Sequence, residues 1–288
     1  MSLVLRLVLT VLLLATPARA DQVQAMKTAL QLAAGKQWEA ALSTAPPGVG
    51  RDVILWQWLR TGEGRLGDYE DFLKRRPDWP GLPFLKQKGE EAAARSETPQ
   101  RVLGYFGNAA PATAKGAIAL VRAALATGSP ARAETEAMAA WASLTFTAEE
   151  EEQLRALMPE AVKAADAMRL ENLLWDGRRA EALRLLPQMD ADVQKLARAR
   201  LALRAEEAGV DTLVAAVPQR LQRDPGLLYE RFVYRMKKNN YDGAAELALG
   251  LKPEDLGRPE AWAPRRATLA RWLMRQGRAK DALALASQ

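Results

Sequence analysis

Three groups of residues in this chain are of types that do chemistry. Glu149, Glu150, Glu151 and Glu152 are four acids in a row, the most acid-dense segment. Carboxylates work as general acids, bases or metal ligands when they converge in a cleft that shifts their pKa values. These four follow Thr147, which with Glu150 spells a capping box, hydroxyl and carboxylate each satisfying the other's orphan backbone amide. Negative charge in a first helical turn also suits the helix dipole, so the segment reads as a helix start. Eight tryptophans form the second group: Trp38, Trp56, Trp58, Trp79, Trp141, Trp175, Trp262 and Trp272. An indole stacks on sugar rings when exposed and fills gaps between helices when buried. Trp38, Trp175 and Trp272 lie beside turn signals and read as packing residues. Trp79, between Asp78 and Pro80 in a loop, is the best placed for sugar stacking. The third group is basic: Arg231, Arg235, Lys237 and Lys238 flank the stripe of Phe232 and Met236. Such a flank is either a solvated face or a contact for an anionic polymer. Trp79, Arg235, Lys237 and Lys238 are therefore the candidate glycan contacts.

What the chain lacks narrows the chemistry further. It contains neither cysteine nor histidine, which removes thiolates, histidine general bases and almost all zinc sites. No Gly-rich phosphate loop, Gly-x-Ser-x-Gly elbow or metal-spaced cluster occurs. No residue is assigned as catalytic, cofactor-binding or metal-binding, and no cofactor is expected.

The elements that would position the candidates are helices. The first twenty residues read as a signal peptide: Arg6, an apolar run from Leu7 to Ala15, the break at Pro17, then Ala18-Arg19-Ala20 for the peptidase. The expectation is export to the periplasm with cleavage after Ala20, and no membrane span in the mature protein. Arg6 and Arg19 leave with the leader, so Lys+Arg falls from 41 to 39 against 35 acids, a net charge of +4. That mild, scattered charge is unlike the dense basic face of a nucleic-acid binder and suits cell-wall glycan with its peptide carboxylates. Without cysteine, an exported chain has no disulfides, and buried helix faces must supply its stability.

Residues 21–288 read as an all-α solenoid of tetratricopeptide-like helical hairpins, a superhelix of about sixteen helices. Strand alternation is absent, and apolar residues recur with helical period. Leu213, Val214, Val217 and Leu221 mark one face; Leu228, Tyr229, Phe232, Val233 and Met236 a second; Leu269, Ala270, Leu273 and Met274 a third. Thr98-Pro99, Ser129-Pro130 and Asp224-Pro225 place a capping side chain before a proline at the first helical position. A weak repeat sets the organisation. Gly35-Lys36-Gln37-Trp38-Glu39-Ala40-Ala41-Leu42 is similar to Gly177-Arg178-Arg179-Ala180-Glu181-Ala182-Leu183 and to Gly277-Arg278-Ala279-Lys280-Asp281-Ala282-Leu283; Asn240 to Ala245 is a looser copy. The Gly or Asn is expected to take the left-handed position ending each hairpin's first helix, with turns at 177, 209, 240 and 277. Residues 45–97, punctuated by Pro46-Pro47, Pro77, Pro80 and Pro83, fit this period least. The last helix, Ala279 to Gln288, carries Leu283 and Leu285 and no polar cap, from which a longer parent chain is expected.

Three segments carry a family resemblance. They are Arg76-Pro77-Asp78-Trp79-Pro80-Gly81-Leu82, Asp224-Pro225-Gly226-Leu227-Leu228-Tyr229-Glu230-Arg231, and Gly257-Arg258-Pro259-Glu260-Ala261-Trp262-Ala263-Pro264-Arg265-Arg266 leading into Leu269-Ala270-Arg271. In order and behind a leader, they resemble the N-terminal superhelical part of the soluble lytic murein transglycosylases of alphaproteobacterial type. The resemblance implies a curved helical region followed by a lysozyme-like domain, which cleaves peptidoglycan between N-acetylmuramic acid and N-acetylglucosamine to a 1,6-anhydro product. One glutamate there serves as acid and then base. The family's Glu-Ser pair and Gly-Leu-Met-Gln stretch have no counterpart: no Glu here precedes a Ser, and no Met precedes a Gln. No catalytic residue is carried over. The resemblance thus implies the non-catalytic portion of such an enzyme, inactive alone, its partners being peptidoglycan and the missing catalytic domain, with a monomer expected. The alternative is a periplasmic tetratricopeptide-like adaptor that binds proteins.

Overall fold

The computed structural model describes residues 21–287, so the leader read over 1–20 lies outside the described residues, as does Gln288. The fold is all-α, with no strand among the described residues. Helix α1 covers 21–34. It is followed by α2 (Trp38–Thr44), α3 (Val49–Leu59), α4 (Leu66–Arg75), α5 (Leu82–Ala94), α6 (Pro99–Phe106), α7 (Ala114–Ala126), α8 (Pro130–Ser143) and α9 (Ala148–Leu157). Then come α10 (Pro159–Asp176), α11 (Arg179–Leu185), α12 (Ala191–Ala205), α13 (Val210–Ala215), α14 (Pro225–Lys237), α15 (Tyr241–Leu249), α16 (Pro259–Arg275) and α17 (Ala279–Ser287). None of these is long and apolar enough to cross a membrane. The chain divides into two compact units, the first running to Ala140 and including Leu144–Ala161, the second comprising Trp141–Ser143 and the chain from Val162 onward.

Each unit is a stack of hairpins whose corners share one geometry. A left-handed residue ends the first helix at Lys36, Gly128, Gly177, Glu206, Asn239 and Gly277, with φ between 56 and 74°. The next amide then donates to the carbonyl five residues back: Gln37 to Leu32, Ser129 to Ala124, Arg178 to Leu173, Glu207 to Ala202, Asn240 to Arg235 and Arg278 to Leu273, at 2.8–3.1 Å. This is the Schellman closure, which satisfies carbonyls that the helix end would leave bare. The expected turn residues are corrected at three places: Lys36 rather than Gly35 and Asn239 rather than Asn240, while Glu206 ends α12 and Gly209, left-handed as expected at φ 76°, lies instead at the start of α13. The backbone register follows the bond to the carbonyl five residues back, and three corners accept a non-glycine residue at φ near 57° to keep it.

Caps divide according to backbone conformation and side-chain reach: the bonding threonines Thr113 and Thr147 have ψ 153 and 164, whereas Thr98 has ψ 98. Thr113, Thr147, Asp224 and Asn240 each accept from the third amide of their helix, and Thr147 with Glu150 completes the capping box. Thr98 and Ser129 occupy the cap position but make no cap bond. Ser129 has ψ 60, close to that of Asn240 at ψ 65; the side chain of Asn240 is one atom longer and closes the gap.

In the first unit, Tyr69, Phe72, Leu85, Phe106 and Leu120 form the centre of one core, and Ala29, Ala33, Ala41 and Ile54 a smaller one. Buried Glu90 of α5 ties this core to the start of α7, accepting from the Ala112 and Thr113 amides, each at 2.8 Å, and from Thr113 Oγ1 at 2.6 Å. Burial pushes the Glu90 carboxyl above its ordinary value, against the pull of those donors. The folded state then holds this proton more tightly than the unfolded chain does. The stabilising contribution is complete below the ordinary value of 4.5 and is lost as pH rises through the folded-state value. Urea unfolding of the wild-type protein and of Glu90→Gln across that range is expected to show the difference between them changing with pH. Parallel curves would mean that Glu90 does not titrate differently on folding.

In the second unit, Phe232, Trp262, Leu269 and Leu273 centre the main core, with Ala244, Ala245 and Ala248 letting α15 approach closely. Two expectations are corrected here. Residues 213–221 are not one helix: α13 ends at Ala215, and after Pro218 a separate 3-10 turn covers Gln219–Leu221. Proline has no amide to continue the ladder. Leu213, Val214, Val217 and Leu221 still converge on one cluster with Leu196 and Leu203. Met274, placed on the buried stripe of Leu269 and Leu273, is 57% exposed, because it falls at the outer edge of α16.

Candidate functional site

The four candidate contacts are already engaged with the protein. Half-buried Trp79 sits edge-on to Phe72, with centroids 5.6 Å apart and planes at 82°, and the Arg76 guanidinium is 5.7 Å from its ring. It packs against the first unit's core rather than standing free in its loop. The other three belong to the second unit. Arg235 donates to the Gly243 carbonyl; Lys237 donates to the Arg204 carbonyl at 3.1 Å and pairs with Glu206 at 3.1 Å; Lys238 pairs with Glu206 at 2.8 Å. Hydrogen bonds from Lys238 and then Lys237 hold the Glu206 carboxyl below its ordinary value. The two lysines of the basic flank share one carboxylate and Arg235 is held by a neutral carbonyl, so the flank keeps a net positive charge; Lys237 also borders a cleft of the second unit. Glu149 and Glu150 behave as helix-start residues and line a polar cleft of about 360 Å³ with Lys115, Arg122 and Gln153. Among the described residues no three acids are grouped so as to hold a metal ion.

That cleft in the second unit, of about 240 Å³, is built from alternate helices: Trp175 of α10, Arg204 of α12, Tyr229, Glu230, Val233 and Lys237 of α14, and Ala261 and Arg265 of α16. Arg204 is its keystone. Its Nε donates to Glu230 Oε1 at 2.8 Å and its Nη2 to the Trp175 carbonyl at 3.0 Å, so one side chain joins three helices. The corner glycine Gly177 makes room for it: a Cβ there would lie 2.4 Å from Arg204 Nη1. Glu230 is 2% exposed, and its charge is absorbed by Arg204.

The aromatic wall is equally fixed. Tyr229 lies between Trp175, at 5.2 Å and 37°, and Trp262, at 5.2 Å and 69°. Arg200 and Arg258 stand 5.6 and 5.4 Å from the Trp175 ring, and Arg258 is bound to Asp176 at 2.9 Å and Asn172 at 2.7 Å. The Tyr229 hydroxyl donates to the Ala261 carbonyl at 3.2 Å and accepts from Arg265 Nη1 at 3.0 Å. Arg265 is exposed and makes no ion pair among the described residues. Arg204 has Glu230 and Lys237 shares Glu206 with Lys238, so of the three cations bordering the cleft Arg265 is the one without a carboxylate partner among the described residues. Such a site sets a guanidinium that can pair with an anion beside a half-buried aromatic surface.

Sequence reasoning had not assembled this site. Trp175 packs at a turn and Tyr229 on an apolar stripe as their spacing predicts, whereas nothing in the apolar spacing marks Arg204 or Glu230. The available signal is repeat spacing: the Arg204 side chain reaches residues 26 and 29 positions away, near one hairpin period. Compared with protein-family models, curated proteins and solved structures, the chain matches none of them.

Proposed function

We propose that this chain is the non-catalytic helical part of a periplasmic lytic transglycosylase and that it holds and orients peptidoglycan strands for a separate catalytic domain. The observation that carries this reading is where the family-like segments fall. The segment from Asp224 to Arg231 supplies Tyr229 and Glu230, and the segment from Gly257 to Arg266 supplies Ala261 and Arg265, so two of the three resemblances meet in one cleft. An aromatic wall and a cation without a carboxylate partner fit a polymer of sugar rings bearing carboxylates. A second surface of the same kind lies in the first unit, where Arg60 is 4.5 Å from the Trp56 ring and 5.4 Å from that of exposed Phe84.

The test is co-sedimentation of the purified protein with sacculi across a salt series. Retention that weakens as salt rises is the expected result, since the contact is partly ionic. Absence of retention even at low salt would remove the glycan-holding role. The reading as a periplasmic protein-binding adaptor draws on exposed Met274 of α16 and on Leu283 of α17, which is 69% exposed. It expects no retention on sacculi.

A further inference from the structure

We infer that the cleft of the second unit is selective for a carboxylate carried beside a sugar ring, and that Arg265 is the residue that reads it. This rests on the reading of the chain as a peptidoglycan-holding scaffold and narrows it to one chemical feature of the strand. Three cations border the cleft, and two of them have a carboxylate partner, Lys237 sharing its own with Lys238. Arg204 is bound to buried Glu230 at 2.8 Å and to the Trp175 carbonyl at 3.0 Å; Lys237 is bound to Glu206 and to the Arg204 carbonyl, both at 3.1 Å. Arg265 makes only a neutral contact, from Nη1 to the Tyr229 hydroxyl at 3.0 Å. That bond aims the guanidinium without discharging it, because the hydroxyl has already committed its proton to the Ala261 carbonyl. The guanidinium carbon is 5.9 Å from the Tyr229 ring, and Tyr229 is backed by Trp175. A planar fork beside an aromatic wall suits a carboxylate, which it takes with two parallel hydrogen bonds, held next to a ring that lies against the indole. Glu230 cannot cancel the charge, since Arg204 occupies it, and its burial against that partner keeps a second anion from being presented to the ligand.

In peptidoglycan the carboxylate has two sources: the lactyl arm of the acidic sugar or the end of a peptide stem. Titration calorimetry on the whole chain with three probes separates them: a neutral N-acetylglucosamine oligomer, a peptide-free disaccharide keeping the lactyl carboxylate, and a stem peptide without sugar. The expected result is that the acidic disaccharide binds at least about tenfold more tightly than the neutral oligomer. Arg265→Met, which keeps the stem and loses the charge, should abolish that preference, so that acidic disaccharide and neutral oligomer bind with equal affinity. Arg265→Lys, which keeps the charge and loses the fork, should restore only part of it. Because Arg265 is exposed, an unchanged melting temperature would show that the variants fold. Tighter binding of the stem peptide than of the acidic disaccharide would overturn the requirement for a ring beside the carboxylate. Equal binding of neutral and acidic sugars would overturn the inference while leaving the glycan-holding reading intact. Sacculus retention with no binding of any probe would place the contact outside this cleft and overturn the inference alone, whereas failure of both experiments would remove both.

Discussion

Replacing Trp262 with alanine is expected to lower the stability of the protein by about 3–5 kcal/mol, the range for emptying a large aromatic site in a packed core. Trp262 is 0% exposed, stacks on Phe232 at 5.0 Å and 25°, meets Tyr229 edge-on, and donates from Nε1 to the Leu256 carbonyl at 2.9 Å. Alanine would leave a cavity between α14 and α16 and a buried carbonyl without its donor. Typical domains have only about 5–15 kcal/mol in all, so the second unit would lose much of its margin. Trp262→Phe keeps most of the apolar burial and should cost less than half as much. Denaturant unfolding followed by circular dichroism reads both variants. A loss below about 1 kcal/mol for alanine would mean that the site collapses freely and that Tyr229 is not held from behind.

The second large effect is expected at Gly226, the second residue of α14. A Cβ there would lie 2.0 Å from Cζ of Arg200. Arg200 is 1% exposed, pairs through Nη1 with Glu171 at 2.6 Å, and leaves Nε and Nη2 without a hydrogen-bond partner. Its guanidinium rests against the Gly226 backbone, the reason no side chain is tolerated. Gly226→Ala must expel a buried charged group, at an expected cost of about 2–4 kcal/mol. In an Arg200→Ala background the same glycine substitution should cost less than about 1 kcal/mol, since the obstruction is gone and alanine favours the helix. Equal costs in the two backgrounds would show that the guanidinium does not set the glycine requirement.

The contrast between Arg200 and the hairpin corners marks how far the sequence could be read. The helices, the corners at Gly177 and Gly277, the capping box at Thr147 and the Asp224 cap are local events, each decided within about six residues, and the pattern of side chains states them directly. The corners at Lys36, Glu206 and Asn239 are local too, but their left-handed residue lacks the glycine that would have announced it. At Pro218 two local signals conflict, a proline that ends the helix and an apolar spacing that would continue it, and the proline prevails. Trp79, Arg235, Lys237 and Lys238 were chosen for exposure and charge, and those two properties depend on neighbours that sequence distance conceals.

Residue types alone fixed an all-helical chain of hairpins without histidine or cysteine chemistry, because propensity, periodicity and capping act over one or two turns. Only the tertiary structure decided which charges stay free. Arg204 and Arg265 are equally basic on paper, yet Arg204 is spent on Glu230 from the next hairpin while Arg265 finds only a neutral hydroxyl. Ion pairing and desolvation depend on distances between helices about thirty residues apart, and that quantity exists only once the hairpins have packed.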